Sequence, residues 1–127
     1  MTRPINQKPA RAQSYRHGIY AEIWAALYLW CRGYRLRAWR YKTSGGEIDL
    51  IATRGRTLVF VEVKYRPDVS QAVSAIPPAA YHRLRAAGAT YLAHHPRFCE
   101  YSARFDLIAV GRFGRIRHLD NIDLSGA

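Results

Sequence analysis

Four ionisable side chains stand inside two short apolar runs. Glu47 and Asp49 interrupt Gly46-Glu47-Ile48-Asp49-Leu50-Ile51-Ala52, and Glu62 and Lys64 interrupt Leu58-Val59-Phe60-Val61-Glu62-Val63-Lys64. Such runs favour burial, so charges within them conflict with the local pattern, and such conflicts mark functional positions. A basic, glycine-bearing turn separates the runs, which predicts a β-hairpin. A two-residue Gly55-Arg56 loop suits a type II′ turn. Arg54 then faces Thr57, Asp49 faces Glu62 and Glu47 faces Lys64. Side chains alternate along a strand, so the four groups share one face, with Ile48, Leu50, Val61 and Val63 on the other. Facing carboxylates repel, and a hard divalent cation such as Mg²⁺, which prefers carboxylate oxygens, would neutralise them. The plainer alternative is a Glu47–Lys64 salt bridge with Asp49 and Glu62 on a wet sheet edge. Convergence of all four groups favours the site.

The surrounding elements must position these groups. Residues 15–33 read as a helix, with Tyr20, Ile23, Trp24, Leu27, Tyr28, Trp30 and Cys31 recurring at helical spacing as its core face; Gly33 is its stop. Glu22 is the one charged residue between Gly18 and Cys31. It shares a ridge with Gly18, Ala25, Ala26 and Leu29, small enough to approach a sheet closely. It is either a functional carboxylate near the hairpin or a solvated residue at the helix margin. Residues 34–42 form a strand with Arg35 and Arg37 on one face and Leu36 and Ala38 on the other. Its end, Trp39-Arg40-Tyr41-Lys42, interleaves cations with aromatics, as phosphate contact and base stacking require; arginines that protect an edge strand from aggregation are the alternative.

Pro67 ends the hairpin, and a polar stretch leads to Pro77-Pro78, which opens a second helix running to about His94. Leu84, Ala87, Gly88, Tyr91 and Leu92 form its buried face. His94-His95 reads as a solvated helix end. Two further strands cover Ala103–Val110 and Arg115–Leu119. Asp106, in the first of them, either supports the site indirectly or pairs with Arg104, and the local pairing ranks first. The order is helix, three strands, helix, two strands, an α/β fold with a mixed sheet. No Walker-type phosphate loop or dinucleotide fingerprint is present.

The 127 residues suit one domain. Residues 1–14 read as a disordered basic arm and 123–127 as a loose tail. Lys and Arg number 20 against 9 Asp and Glu, for a net charge of +11, which points to a polyanion, most often nucleic acid. Cys31 and Cys99 lack metal-ligand spacing, and no targeting segment or membrane span stands out, so free thiols in a reducing, cytoplasmic setting are expected.

An acid, a dozen residues and then Glu-x-Lys on a hairpin resembles the core of the PD-(D/E)XK nuclease superfamily; Asp49, Glu62 and Lys64 match it. More of the chain is similar to one branch, the small bacterial YraN-like family of predicted nucleases. Gly18-x-x-x-Glu22-x-x-Ala25-x-x-Tyr28-Leu29, Gly45-Gly46-Glu47-Ile48-Asp49-Leu50-Ile51, Phe60-Val61-Glu62-Val63-Lys64-x-Arg66 and Arg104-Phe105-Asp106 carry the likeness, over roughly residues 15–122. The resemblance implies a restriction-endonuclease-like fold, related to archaeal Holliday-junction resolvases. It implies a Mg²⁺- or Mn²⁺-dependent DNA nuclease acting on branched or single-stranded DNA, with Glu22, Asp49, Glu62 and Lys64 as the site and Glu22, Asp49 and Glu62 around the metal. Glu47 would orient Lys64, and Arg40, Lys42, Arg66 and Arg83 would meet nucleic acid. DNA is favoured over RNA, and dimeric resolvases of this fold suggest a homodimer. Two positions depart: Ala80 stands where the resemblance leads us to expect lysine in many relatives, and Arg40 where it leads us to expect asparagine. A non-catalytic nucleic-acid-binding module is the alternative, and a small interaction protein with a structural acid cluster is a third.

Overall fold

The computed structural model describes residues 18–69 and 78–122; the predicted basic arm, the polar stretch before the second helix and the C-terminal tail lie outside them. Helix α1 covers residues 18–31 of the described chain. It ends where expected: Gly33 takes φ +90°, and the Tyr34 and Gly33 N–H groups return to the Leu29 and Trp30 carbonyls, closing the last turn on a glycine that tolerates the left-handed conformation. Strands β1 (Arg35–Thr43), β2 (Gly46–Arg54) and β3 (Thr57–Tyr65) follow, then helix α2 (Pro78–His94) and strands β4 (Ser102–Val110) and β5 (Ile116–Leu119).

The five strands form one mixed sheet in sequential order, β1-β2-β3-β4-β5. All neighbours are antiparallel except β3 and β4, which run parallel and are connected through α2, as a parallel pair requires a crossover. Both faces are covered. Ala21, Ala25 and Leu29 of α1 pack on Leu50, Ala52, Val59, Val61, Ile108 and Val110. On the other face Leu84, Ala87 and Tyr91 of α2 pack on Ile48, Ile51, Leu58 and Phe60. Burial on two sides explains why β2, β3 and β4 read as nearly continuous apolar runs. Gly88 lets α2 settle there; a Cβ on it would lie 3.2 Å from the Phe105 ring and 3.3 Å from Phe60.

Four expectations are corrected. First, α1 buries its small ridge and turns its large residues outward: Ile23, Trp24, Leu27, Trp30 and Cys31 are exposed, while Ala21, Glu22, Ala25 and Leu29 are buried. Close approach to a sheet selects small side chains, so the ridge displaced the bulky face. Second, Leu36 and Ala38 do not share a face. A bulge between them pairs Leu36 with Ala52 and Ala38 with Ile51, which belong to opposite cores. Third, Ile48 joins the α2-side core rather than following Leu50, so alternation breaks at Asp49. His95, expected to be solvated, is half-buried and stacks on Tyr91 at 3.9 Å between ring centres.

Candidate active site

The hairpin turn has the expected register. Gly55 takes φ +59°, Arg54 pairs with Thr57, and the ladder continues rung by rung to Leu50–Val61. There it ends. A continued ladder would bond the Val63 N–H to the backbone of β2; instead that N–H donates to Asp49 Oδ2 at 2.8 Å. The two strands fork, and the Asp49 side chain fills the fork. On the other flank, Arg40 stands across from Asp49, between the Trp39–Leu50 and Tyr41–Ile48 rungs, with φ +55°. A left-handed residue in a strand turns the chain, which is why Trp39 and Tyr41 pack on opposite faces of the sheet. Arginine takes this conformation less readily than asparagine would.

The fork brings the acids together. Asp49 and Glu62 are in side-chain hydrogen-bond contact. Burial, then the Glu62 charge, pushes the Asp49 carboxyl from 3.8 up to about 8; the Val63 N–H works the other way, and Glu22 adds a smaller upward push. Lys64 Nζ lies 3.3 Å from Glu62 Oε2. Glu47, Asp49 and Glu62 line a cleft of about 240 Å³, closed by Ala80 and Arg83 of α2. The β1–β2 turn adjoins it in a groove lined by Lys42, Thr43, Ser44, Gly45, Gly46, Glu47 and Arg83. Thr43 Oγ1 accepts from the Gly45 and Gly46 N–H groups and donates to the Gly46 carbonyl, fixing this turn.

The predicted residues meet unequally. Asp49, Glu62, Lys64 and Glu47 converge, but Lys64 pairs with Glu62 on its own strand, while Glu47 is on the rung of Lys42. The forked ladder removes the Glu47–Lys64 rung on which their pairing depended. Glu22 is buried, and its Oε1 accepts from Trp39 Nε1 at 2.7 Å and from Arg40 Nε at 2.8 Å. Arg40 is therefore tied to Glu22 rather than to the groove, and Arg66 donates to the Tyr65 carbonyl. Lys42 and Arg83 do line the groove. Ala80 lines the acid cleft itself, so the position at which the resemblance leads us to expect lysine borders the acids. Trp39 escaped the sequence reading as a site neighbour; its place next to an Arg of unusual backbone depends on a bulge that composition does not signal.

Among the described residues, no three carboxylate, imidazole or thiolate groups converge into a ready cation shell. The donor chemistry nevertheless suits a hard cation. Mg²⁺ commonly uses one or two carboxylates and completes its shell with water and phosphate oxygens, and Asp49 with Glu62 supplies that pair. The raised Asp49 carboxyl is what two half-buried acids in contact display.

Asp106 belongs to a separate network. Arg104 grips it with two bonds of 2.9 Å, His118 Nε2 lies 2.8 Å away and the Asn121 N–H donates at 2.9 Å. Burial alone would raise this carboxyl, but these partners outweigh it and hold it below the usual range. The local pairing with Arg104 holds, and β5 is pinned with it.

The sequence profile described as Uncharacterised protein family UPF0102 matches residues 21–110. A UPF0102 protein of Bradyrhizobium diazoefficiens is 40% identical over 116 residues, covering 91% of this chain and 87% of its own. One from Chelativorans is 42% identical over 113 residues, covering 89% and 91%. One from Bartonella henselae is 41% identical over 104 residues, covering 82% of each.

Proposed function

This chain belongs to the uncharacterised protein family UPF0102, and we propose that it is a Mg²⁺- or Mn²⁺-dependent nuclease that hydrolyses DNA phosphodiester bonds. The observation that carries this reading is the contact of Asp49 with Glu62 at a forked hairpin, with the Lys64 ammonium 3.3 Å from Glu62. Asp49 and Glu62 would hold the cation, the former giving up its proton as it does so. The Val63 carbonyl, at the same fork, is a further oxygen donor. When bound, a divalent cation supplies a water of lowered pKa and polarises the phosphoryl oxygen. Lys64 orients the attacking water and stabilises negative charge as it grows on the phosphoryl oxygens. Glu22 acts on Asp49 through its charge and holds Trp39 and Arg40 in place. Lys42 and Arg83 give the backbone of the substrate a cationic groove beside the cleft.

The test is cleavage of branched, single-stranded and duplex DNA in Mn²⁺ by the wild type, Asp49→Ala and Lys64→Ala. The expected outcome is cleavage by the wild type alone. Activity that survives both substitutions would discard the site. A non-catalytic nucleic-acid-binding module is the second reading, favoured by the capture of Glu22 by Trp39 and Arg40 and by the methyl group at position 80. Salt-sensitive DNA binding, with neither cleavage nor Mn²⁺ uptake by calorimetry, would select it.

A further inference from the structure

Among the described residues, helix α1 leaves an apolar face uncovered. Ile23 is 44%, Leu27 49% and Trp30 72% exposed. Edge strand β1 continues this face. The bulge after Leu36 puts both Leu36 and Trp39 on the α1 side, since their rung partners Ala52 and Leu50 belong to that core. Each is 45% exposed. Between helix and strand lies a hollow of about 220 Å³, walled by Leu27, Trp30, Tyr34 and Leu36 among others. The rim is cationic. Arg32 is exposed at the end of the helix, and Arg54, bonded to the Arg32 carbonyl, holds its guanidinium 4.4 Å over the Tyr34 ring. Glu22, buried and bonded, is the only acid between residues 18 and 43.

An exposed apolar patch of this kind marks a binding surface, and three observations select its occupant. The surface combines tryptophan faces with arginines, the pairing that stacks bases while tracking phosphates. A second copy of this chain would bring its own Arg32 and Arg54 against the same rim, and like charges facing across an interface oppose association. Finally, Trp39 is fixed by its Nε1 bond to Glu22 one rung from Asp49, so the strip leads to the acid fork. The bulge leaves Leu36 and Trp39 two rungs apart, roughly 7 Å along the strand, a span that a stretched single strand covers in about one nucleotide.

We propose that Trp39, Leu36 and Trp30 form a stacking path for unpaired nucleotides, so that the substrate is a nucleic acid with a single-stranded segment beside the scissile bond. The position of that bond rests on the nuclease reading; the stacking path does not. Paired bases hide their faces inside the duplex, so only unpaired ones can lie on these indoles.

The test measures binding without metal, in EDTA, by tryptophan fluorescence and by anisotropy, using labelled oligothymidylate and a blunt hairpin duplex. Oligothymidylate should quench the fluorescence. Trp30→Ala and Trp39→Ala should each weaken it about tenfold or more, change duplex binding less than about twofold, and Trp39→Phe should restore most of the loss. Trp30→Ala touches no partner of the acid site, so a folding defect at Trp39 leaves the test intact. Equal losses on both probes, or no quenching, would overturn the proposal. So would self-association by sedimentation that Trp30→Ala abolishes without affecting oligothymidylate binding, because the face would then belong to a second copy. Oligothymidylate binding of this pattern with no Mn²⁺-dependent cleavage keeps the path and removes the nuclease. Cleavage that ignores both tryptophan substitutions keeps the nuclease and overturns the placement of the path beside the scissile bond.

Discussion

Asp49 carries a proton at neutral pH that an exposed aspartate would have lost. Its carboxyl is raised from 3.8 to about 8 by burial and by Glu62, so between those values the folded chain binds a proton that the unfolded chain releases. In the metal-free protein, stability from this group is complete below about pH 4 and is lost as pH rises through about 8. Asp49→Asn keeps an acceptor for the Val63 N–H and removes the like charge. It should flatten the pH dependence of the melting temperature between pH 4 and 8, and raise stability at pH 8 by about 1–3 kcal/mol. A variant less stable than wild type at pH 8 would mean that the charge is compensated in some other way. The shared position of Asp49, Glu62 and Lys64 was legible from strand parity and one turn. The partners of Glu22 were not, because Trp39 and Arg40 reach it only through a bulge and a left-handed residue.

The β1–β2 turn and α2 meet at Gly46, where a Cβ would fall 2.3 Å from the Arg83 carbonyl oxygen and 2.9 Å from its carbon. Backbone cannot yield as a flexible side chain can. Gly46→Ala should cost about 2–3 kcal/mol and move the helix that carries Ala80 and Arg83, so thermal melting should fall by roughly 10 °C and Mn²⁺ affinity with it. An unchanged melting temperature would show that helix and turn are less tightly joined. Strand β5 depends likewise on Asp106, which holds His118 and the Asn121 N–H. Asp106→Asn leaves Arg104 without its counter-charge and should cost roughly 3–5 kcal/mol; amide hydrogen exchange should quicken across Ile116–Leu119 first. Because that carboxyl is held low in the fold, its support is present above pH 4 and fades only as pH falls through its lowered value. Element order was legible because turns, prolines and glycines punctuate the chain. The buried face of α1 was harder to read: two apolar faces compete on it, and only the proximity of the sheet makes the small one win.

Of the nine acids in the chain, Glu22 and Asp106 are buried and Asp49 and Glu62 are gathered at the cleft. The outer surface therefore keeps little to offset 20 Lys and Arg. Charge of one sign over a small domain repels itself, and nucleic acid relieves the repulsion by exchanging its counterions for side chains. Binding driven in this way has a measurable slope against salt. A footprint of about four phosphates on duplex DNA corresponds to a log–log slope of about −3.6, or a loss of about a hundredfold between 50 and 200 mM salt. Lys42 and Arg83, which line the groove beside the cleft, should account for about half of it. The double substitution Lys42→Ala, Arg83→Ala should shift the slope to about −1.8, whereas removing the exposed Arg112 and Arg117 from the far end of the sheet should leave it unchanged. If the two double variants flatten the slope equally, the charge acts as a diffuse coat and the groove has no privileged place in binding.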